Sequence, residues 1–161
     1  MFVLMARLLV LGCSRLKHGT PFPVPAWYRY DGVLFRVCKA LEAENAFPSD
    51  VSIRVLSAAF GVITPATPIP VYDHVMDRPR AHELRRDVTT ALREAIQETG
   101  ASEVYIAAGR TYRTAVGQLQ PDVALHFARG GIGMIQKQLR RWLVGEAPER
   151  GQLALAFPDL P

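Results

Sequence analysis

Two hydrophobic rhythms run along this chain: short unbroken apolar runs, and longer stretches with a 3.6-residue period. Leu8-Leu9-Val10-Leu11 is of the first kind and predicts a strand buried on both faces over residues 8–11. It breaks at Gly12 into Cys13-Ser14-Arg15-Leu16-Lys17. Residues 20–25 are Pro-rich and predict a loop. Val33, Leu34, Val37, Cys38 and Leu41 then share one face of a helix over about 31–44, which places Cys38 in the core. A second strand, rich in β-branched residues, is predicted over 51–56.

Ser57-Ala58-Ala59-Phe60-Gly61 follows, and then a loop punctuated by Pro65, Pro68 and Pro70. Long irregular stretches of this kind in a compact domain are often functional. Pro79 suits a first helical turn, from which Leu84, Val88, Ala91, Leu92, Ala95 and Ile96 form an apolar face up to a stop at Gly100. A third strand is predicted over 104–107, followed by Gly109-Arg110-Thr111-Tyr112. Tyr112, Ala115, Val116 and Leu119 suggest a short helix, and 122–127 a strand or turn. Gly130-Gly131-Ile132-Gly133 opens a last helix. Its buried face would be Ile132, Ile135, Leu139, Trp142 and Leu143, with Lys137, Arg140 and Arg141 mostly toward solvent.

Strands alternating with helices predict an α/β fold, a three-layer single domain with a largely parallel central sheet. Residues 1–145 would form the domain, and 146–161 an extended C-terminal tail. The predicted strands end in Gly12-Cys13, in Ser57 and in Gly109-Arg110. In open α/β sheets such ends line the binding crevice.

The chain has 161 residues, 49% hydrophobic and 21% charged, ordinary for a globular protein with a real core. Its formal net charge of +4 mildly favours a polyanionic partner, although a solvated basic surface gives the same figure. Two cysteines make no disulfide framework and fit a reducing, cytoplasmic setting. No Cys/His spacing predicts zinc, and neither metal nor cofactor is called for. Val10-Leu11-Gly12-Cys13 superficially resembles a lipoprotein cleavage site, but Arg7 leaves too short an apolar core for a signal. No apolar stretch is long enough to span a membrane.

Candidate chemistry collects at the strand ends. Lys17 can hold phosphate as a point charge beside Cys13, Ser14 and backbone N–H groups. Cys13 is either a nucleophile or, the reading favoured by the lack of a neighbouring His or acid, a small residue closing a tight turn. Tyr72 can stack on a base. Asp73 can activate water or stabilise a cation, or simply cap a turn. Arg110 and Tyr112 can clamp a phosphate and a ring. Gly109, Gly131 and Gly133 add backbone approach, and a helix N-terminus that favours anions follows Gly131. The cluster lacks the context of a dinucleotide fingerprint or a P-loop. In the tail, Gln152-Leu153-Ala154-Leu155-Ala156-Phe157 resembles the peptides that dock bacterial repair proteins on the sliding clamp, or is a terminal strand.

Several motifs together carry a family resemblance. Leu11-Gly12-Cys13-Ser14-Arg15-Leu16-Lys17 comes first, then Pro25-Ala26-Trp27-Tyr28 with Tyr30, Gly32 and Phe35. Leu56-Ser57-Ala58-Ala59-Phe60-Gly61-Val62 and Pro70-Val71-Tyr72-Asp73 follow. The region 8–135 resembles a poorly characterised bacterial and phage domain family similar to the peroxide-stress protein YaaA and to a domain of archaeosine synthase. That resemblance implies a uracil-DNA-glycosylase-like scaffold and a DNA or RNA setting: base modification, glycosylase-like chemistry or DNA protection. The family pattern carries a Lys-Tyr pair where this chain has Ala59-Phe60, so no role passes to those positions. Lys17, Ser57, Tyr72 and Asp73 match, and Ser57 thereby joins Asp73 and Cys13 as a catalytic candidate. The expectation is an enzyme acting on a base or its glycosidic bond. The alternatives are a DNA-binding protection module and a small-molecule nucleotide enzyme.

Overall fold

The computed structural model of the chain describes residues 5–15 and 17–145. The tail 146–161, with the Gln152 to Phe157 hexapeptide, lies outside the described residues, as does Leu16.

The first apolar run forms β1 (Arg7–Gly12), at the centre of a five-stranded sheet. Parallel to it on one side runs β3 (Val51–Ser57), and on the other β6 (Glu103–Ala107). The outer strands are β4 (Gly61–Ile63), antiparallel to β3, and β7 (Ala124–Phe127), parallel to β6. The order is β4-β3-β1-β6-β7. The parallel strands deliver their C-terminal ends to one edge, as their sequence predicted.

Helices cover both faces. Leu9 and Leu11 of β1 pack in the core beneath α2 (Val33–Ala43) and α5 (Ile132–Val144). Leu8 and Val10 pack beneath α3 (Arg78–Thr99). Period-2 alternation explains the division, and burial on both sides explains why β1 is an unbroken apolar run. The start of α3 is fixed by Asp77, whose carboxylate accepts the Arg80 N–H at 2.8 Å. It stops at Gly100, whose φ of 66° lies in the left-handed region. Cys38 is fully buried on α2.

The Pro-rich loops are more ordered than their sequence predicts. Val24–Pro25 forms β2 and pairs antiparallel with β5 (Pro68–Ile69), and α1 (Ala26–Arg29) follows directly. Proline is tolerated there because this ribbon has only two strands, both edges. The segment after β3 is a hairpin into β4. Ser57 pairs with Gly61, whose φ of 71° closes the three-residue loop Ala58-Ala59-Phe60. The helix expected around Tyr112 is α4 (Arg110–Thr114), and Ala115, Val116 and Leu119 are buried beyond its end. Ile132, expected in the core, is 58% exposed. As the first residue of α5 it overhangs the sheet edge, while Ile135, Leu139 and Leu143 one turn and more along are buried. No helix of the described residues is long and apolar enough to cross a membrane.

Candidate functional site

The chain leaves β1 toward β3 on one side and later places β6 on the other, so the order reverses at β1. Ligands of open α/β sheets bind at such a reversal, outside the carboxyl ends of the strands. A cavity of about 400 Å³ lies there, walled by Cys13, Ser14, Gly109 and Tyr112 together with the first turns of α2 and α5. Two glycines permit its close packing. A Cβ on Gly12 would stand 2.9 Å from Ala108 Cβ, and one on Gly32 would stand 2.5 Å from Ser14 Cβ. The Gly32 N–H instead donates to Ser14 Oγ at 3.2 Å.

At the end of β3, Ser57 organises a cluster of hydroxyls. Its Oγ accepts the Ala59 and Phe60 N–H groups, both at 3.2 Å, which pins the hairpin loop. The Ser57 hydroxyl also lies 3.0 Å from that of Tyr72. Tyr72 in turn bonds Tyr30, whose hydroxyl also reaches Ser57 at 3.4 Å. The three hydroxyls close a hydrogen-bonded ring. Burial pushes the Tyr30 and Tyr72 phenols above their ordinary pKa. Both therefore act as neutral donors and acceptors at physiological pH, never as phenolates. Lys17 caps this cluster, its Nζ 4.6 Å from the Tyr72 ring centroid and 5.9 Å from that of Tyr30. Phe60 meets the Tyr72 ring edge-on at 5.1 Å.

Cys13 links the hydroxyl cluster to Tyr112, because its side chain packs against both cores of the sheet. The Tyr112 hydroxyl donates to the Cys13 carbonyl at 3.2 Å. That commits its single proton, so the Cys13 thiol 3.1 Å away is the donor to the phenol oxygen. Burial, then the nearby thiol, raises the Tyr112 pKa. Cys13 is half-exposed and borders the cavity, whereas burial pushes the Cys38 thiol up to about 12.

The other expected residues divide. Arg15 lines the cavity and Arg110 follows Gly109 at its rim. Neither they nor Lys17 have an ion-pair partner among the described residues. Asp31, the acid nearest in sequence to Arg15 and Lys17, is taken by Arg36 at 3.0 Å. Asp73 is exposed beside Tyr72 and has no ion-pair partner among the described residues, and it does not line the cavity. Gly131 caps α5, and Gly133 lines a separate groove between α5 and α2.

Three contributors had no signal as site residues. Tyr30 stood in the family motif without a role. Arg29, fully buried, donates to four carbonyls: His18 at 2.5 Å, Thr20 at 2.9 Å, Phe22 at 2.8 Å and Ile69 at 3.2 Å. It thereby ties the segment after Lys17 to the β2–β5 ribbon. Arg80 holds the β3–β4 loop to α3 by donating to Ala58 O at 2.7 Å and Ala59 O at 3.2 Å. Backbone acceptors leave no trace in side-chain pattern, so neither arginine was legible.

No curated protein matches the chain. A family model does match it, over residues 8–143, which takes in every described element at the sheet edge. The protein with this cavity and hydroxyl ring belongs to DUF6884, a family of unknown function.

Proposed function

We propose that the protein is a nucleic-acid enzyme that acts on one base, extruded or single-stranded, or on its glycosidic bond. One observation carries this reading: a cavity of nucleoside size has Arg15 as the one charged residue of its wall among the described residues, with Arg110 directly after the lining residue Gly109 and Lys17 two positions beyond Arg15, and none of the three has a carboxylate partner among the described residues. A largely uncharged wall suits a base, and unneutralised cations suit its flanking phosphates. The likeness of the Lys17, Ser57 and Tyr72-Asp73 motifs to the YaaA-like family, with its uracil-DNA-glycosylase-like scaffold, supports the same setting.

In this reading Lys17 and Arg110 hold phosphates, Tyr112 and Tyr72 hold the base, and Gly109 lets the backbone approach. Ser57 keeps the Tyr72 hydroxyl aimed. Asp73, solvent-accessible and next to Tyr72, takes a proton from water. The water oxygen bonds to the sugar carbon, the carbon–nitrogen bond breaks, and its electron pair leaves with the base, which is then protonated.

A second reading, binding without turnover, is favoured by the absence of any carboxylate or imidazole from the cavity wall among the described residues. Incubation with DNA and RNA oligonucleotides bearing normal, uracil and hypermodified bases, read by mass spectrometry, separates the two. A base released by the wild type and not by Asp73→Ala supports the enzyme. Salt-sensitive binding with no product on any substrate overturns it in favour of a protection module. Competition by free nucleotides that abolishes oligonucleotide binding identifies a nucleotide enzyme instead.

A further inference from the structure

A second concavity, about 700 Å³, lies between α2 and α5 and is lined by Arg36, Lys137, Arg140 and Arg141, with no carboxylate in its wall among the described residues. It adjoins the cavity along both helices. Phe35 and Ile132 line the cavity, and Arg36 and Gly133, the next residues along the same helices, line the groove. Two acids stand beside it: Asp31 pairs with Arg36 at 3.0 Å and lies 3.9 Å from His18, and Glu44 pairs with Arg140 at 3.8 Å. Lys137 is exposed and has no ion-pair partner among the described residues.

We infer that this groove is the track along which a single nucleic-acid strand runs from the cavity, its phosphates on Lys137, Arg140 and Arg36. The inference rests on the base-binding reading of the cavity and adds the path of the flanking strand. From Gly133 to Arg141 the helix rises about 12 Å, room for about three backbone phosphates. A furrow between two packed helices, with axes roughly 8–10 Å apart, admits one strand and not a duplex. Val37 and Ala40 give the groove an apolar floor and Gln136 is its one uncharged polar side chain among the described residues, so the track reads backbone charge more than base identity.

The test is fluorescence anisotropy with single-stranded DNA and RNA decamers across a salt series, with nucleoside monophosphates and a DNA duplex as further ligands. The variant is Lys137→Ala with Arg140→Ala, both on the exposed side of α5, with thermal unfolding to confirm an unchanged fold. The slope of log affinity against log salt should fall by about 1.4, two phosphate contacts at ~0.7 each. Monophosphate binding should stay within about twofold. Which decamer shows the loss tells DNA from RNA. An unchanged slope for both decamers overturns the track, as does duplex binding tighter than either, or an equal loss for monophosphates. Binding of an acidic peptide or of anionic vesicles that the variant weakens while decamers are unaffected also overturns it. Failure of the base-binding reading looks different: no monophosphate binds and no base is altered, yet the groove still sets the decamer slope.

Discussion

Replacing Arg29 by Met removes a buried cation that holds four carbonyls and touches no acid. Its four acceptors lie at 2.5 to 3.2 Å. Bonds from a charged donor are worth about 1.5–3 kcal/mol each, so the gross loss is roughly 6–12 kcal/mol. Two effects offset it. Methionine avoids the several kcal/mol that desolvating a guanidinium costs. His18 and Phe22 are exposed, so water can take up part of their bonding, while Ile69 is 2% exposed and its carbonyl is stranded. The net expectation is a destabilisation of about 4 kcal/mol, which in a chain this size lowers Tm by about 8–16 °C. Urea unfolding followed by Trp fluorescence measures it, with the m-value unchanged if only the native state is affected. Hydrogen exchange should locate the loosening in residues 18–22 and 68–69. Arg29→Lys should recover only part of the loss, because three donors on a point charge cannot span four carbonyls. A change below about 1 kcal/mol for Arg29→Met would refute the reasoning, since the four bonds would then be no better than those water supplies.

Ser57→Ala should cost about 2 kcal/mol by stranding the loop N–H groups of Ala59 and Phe60, whereas Tyr72→Phe should cost about 1 kcal/mol; chemical denaturation compares them. Native protein treated with iodoacetamide at neutral pH should label at Cys13 and not at Cys38, whose thiol burial holds near 12, and peptide mapping reads the site. Gly32→Ala should destabilise by about 1–3 kcal/mol and disturb the cavity, because its Cβ would meet Ser14 Cβ at 2.5 Å. Hydrogen bonding to Arg7 holds the Asp50 carboxyl below the ordinary carboxylate value. The pair's stabilisation is therefore complete above about pH 4 and lost as pH falls through the depressed value; Asp50→Asn should be less stable at pH 7, with the gap closing in acid.

Much of the scaffold was legible in the chain. The run Leu8-Leu9-Val10-Leu11 marks a strand buried on both faces, because only a central parallel strand has no solvent side. The periodic faces of α2 and α3 located those helices, and Gly100 marked an end that only a left-handed residue makes cheaply. The breaks at Gly12-Cys13, Ser57 and Gly109 marked the carboxyl-terminal edge of the sheet, because parallel strands must all end on one side. Other features were set by pairings between distant segments. Val24-Pro25 and Pro68-Ile69 carry no strand pattern alone and become a ribbon only by meeting each other. The hydroxyl ring needs Tyr30, Ser57 and Tyr72 from three separate segments. The partners of Arg29 are backbone carbonyls, which every residue has and no sequence advertises. Local pattern thus determined the central strands and the long helices and where those strands end. Tertiary structure alone decided which hydroxyls, cations and carbonyls face one another, because those contacts depend on how separate elements are brought within about 3 Å.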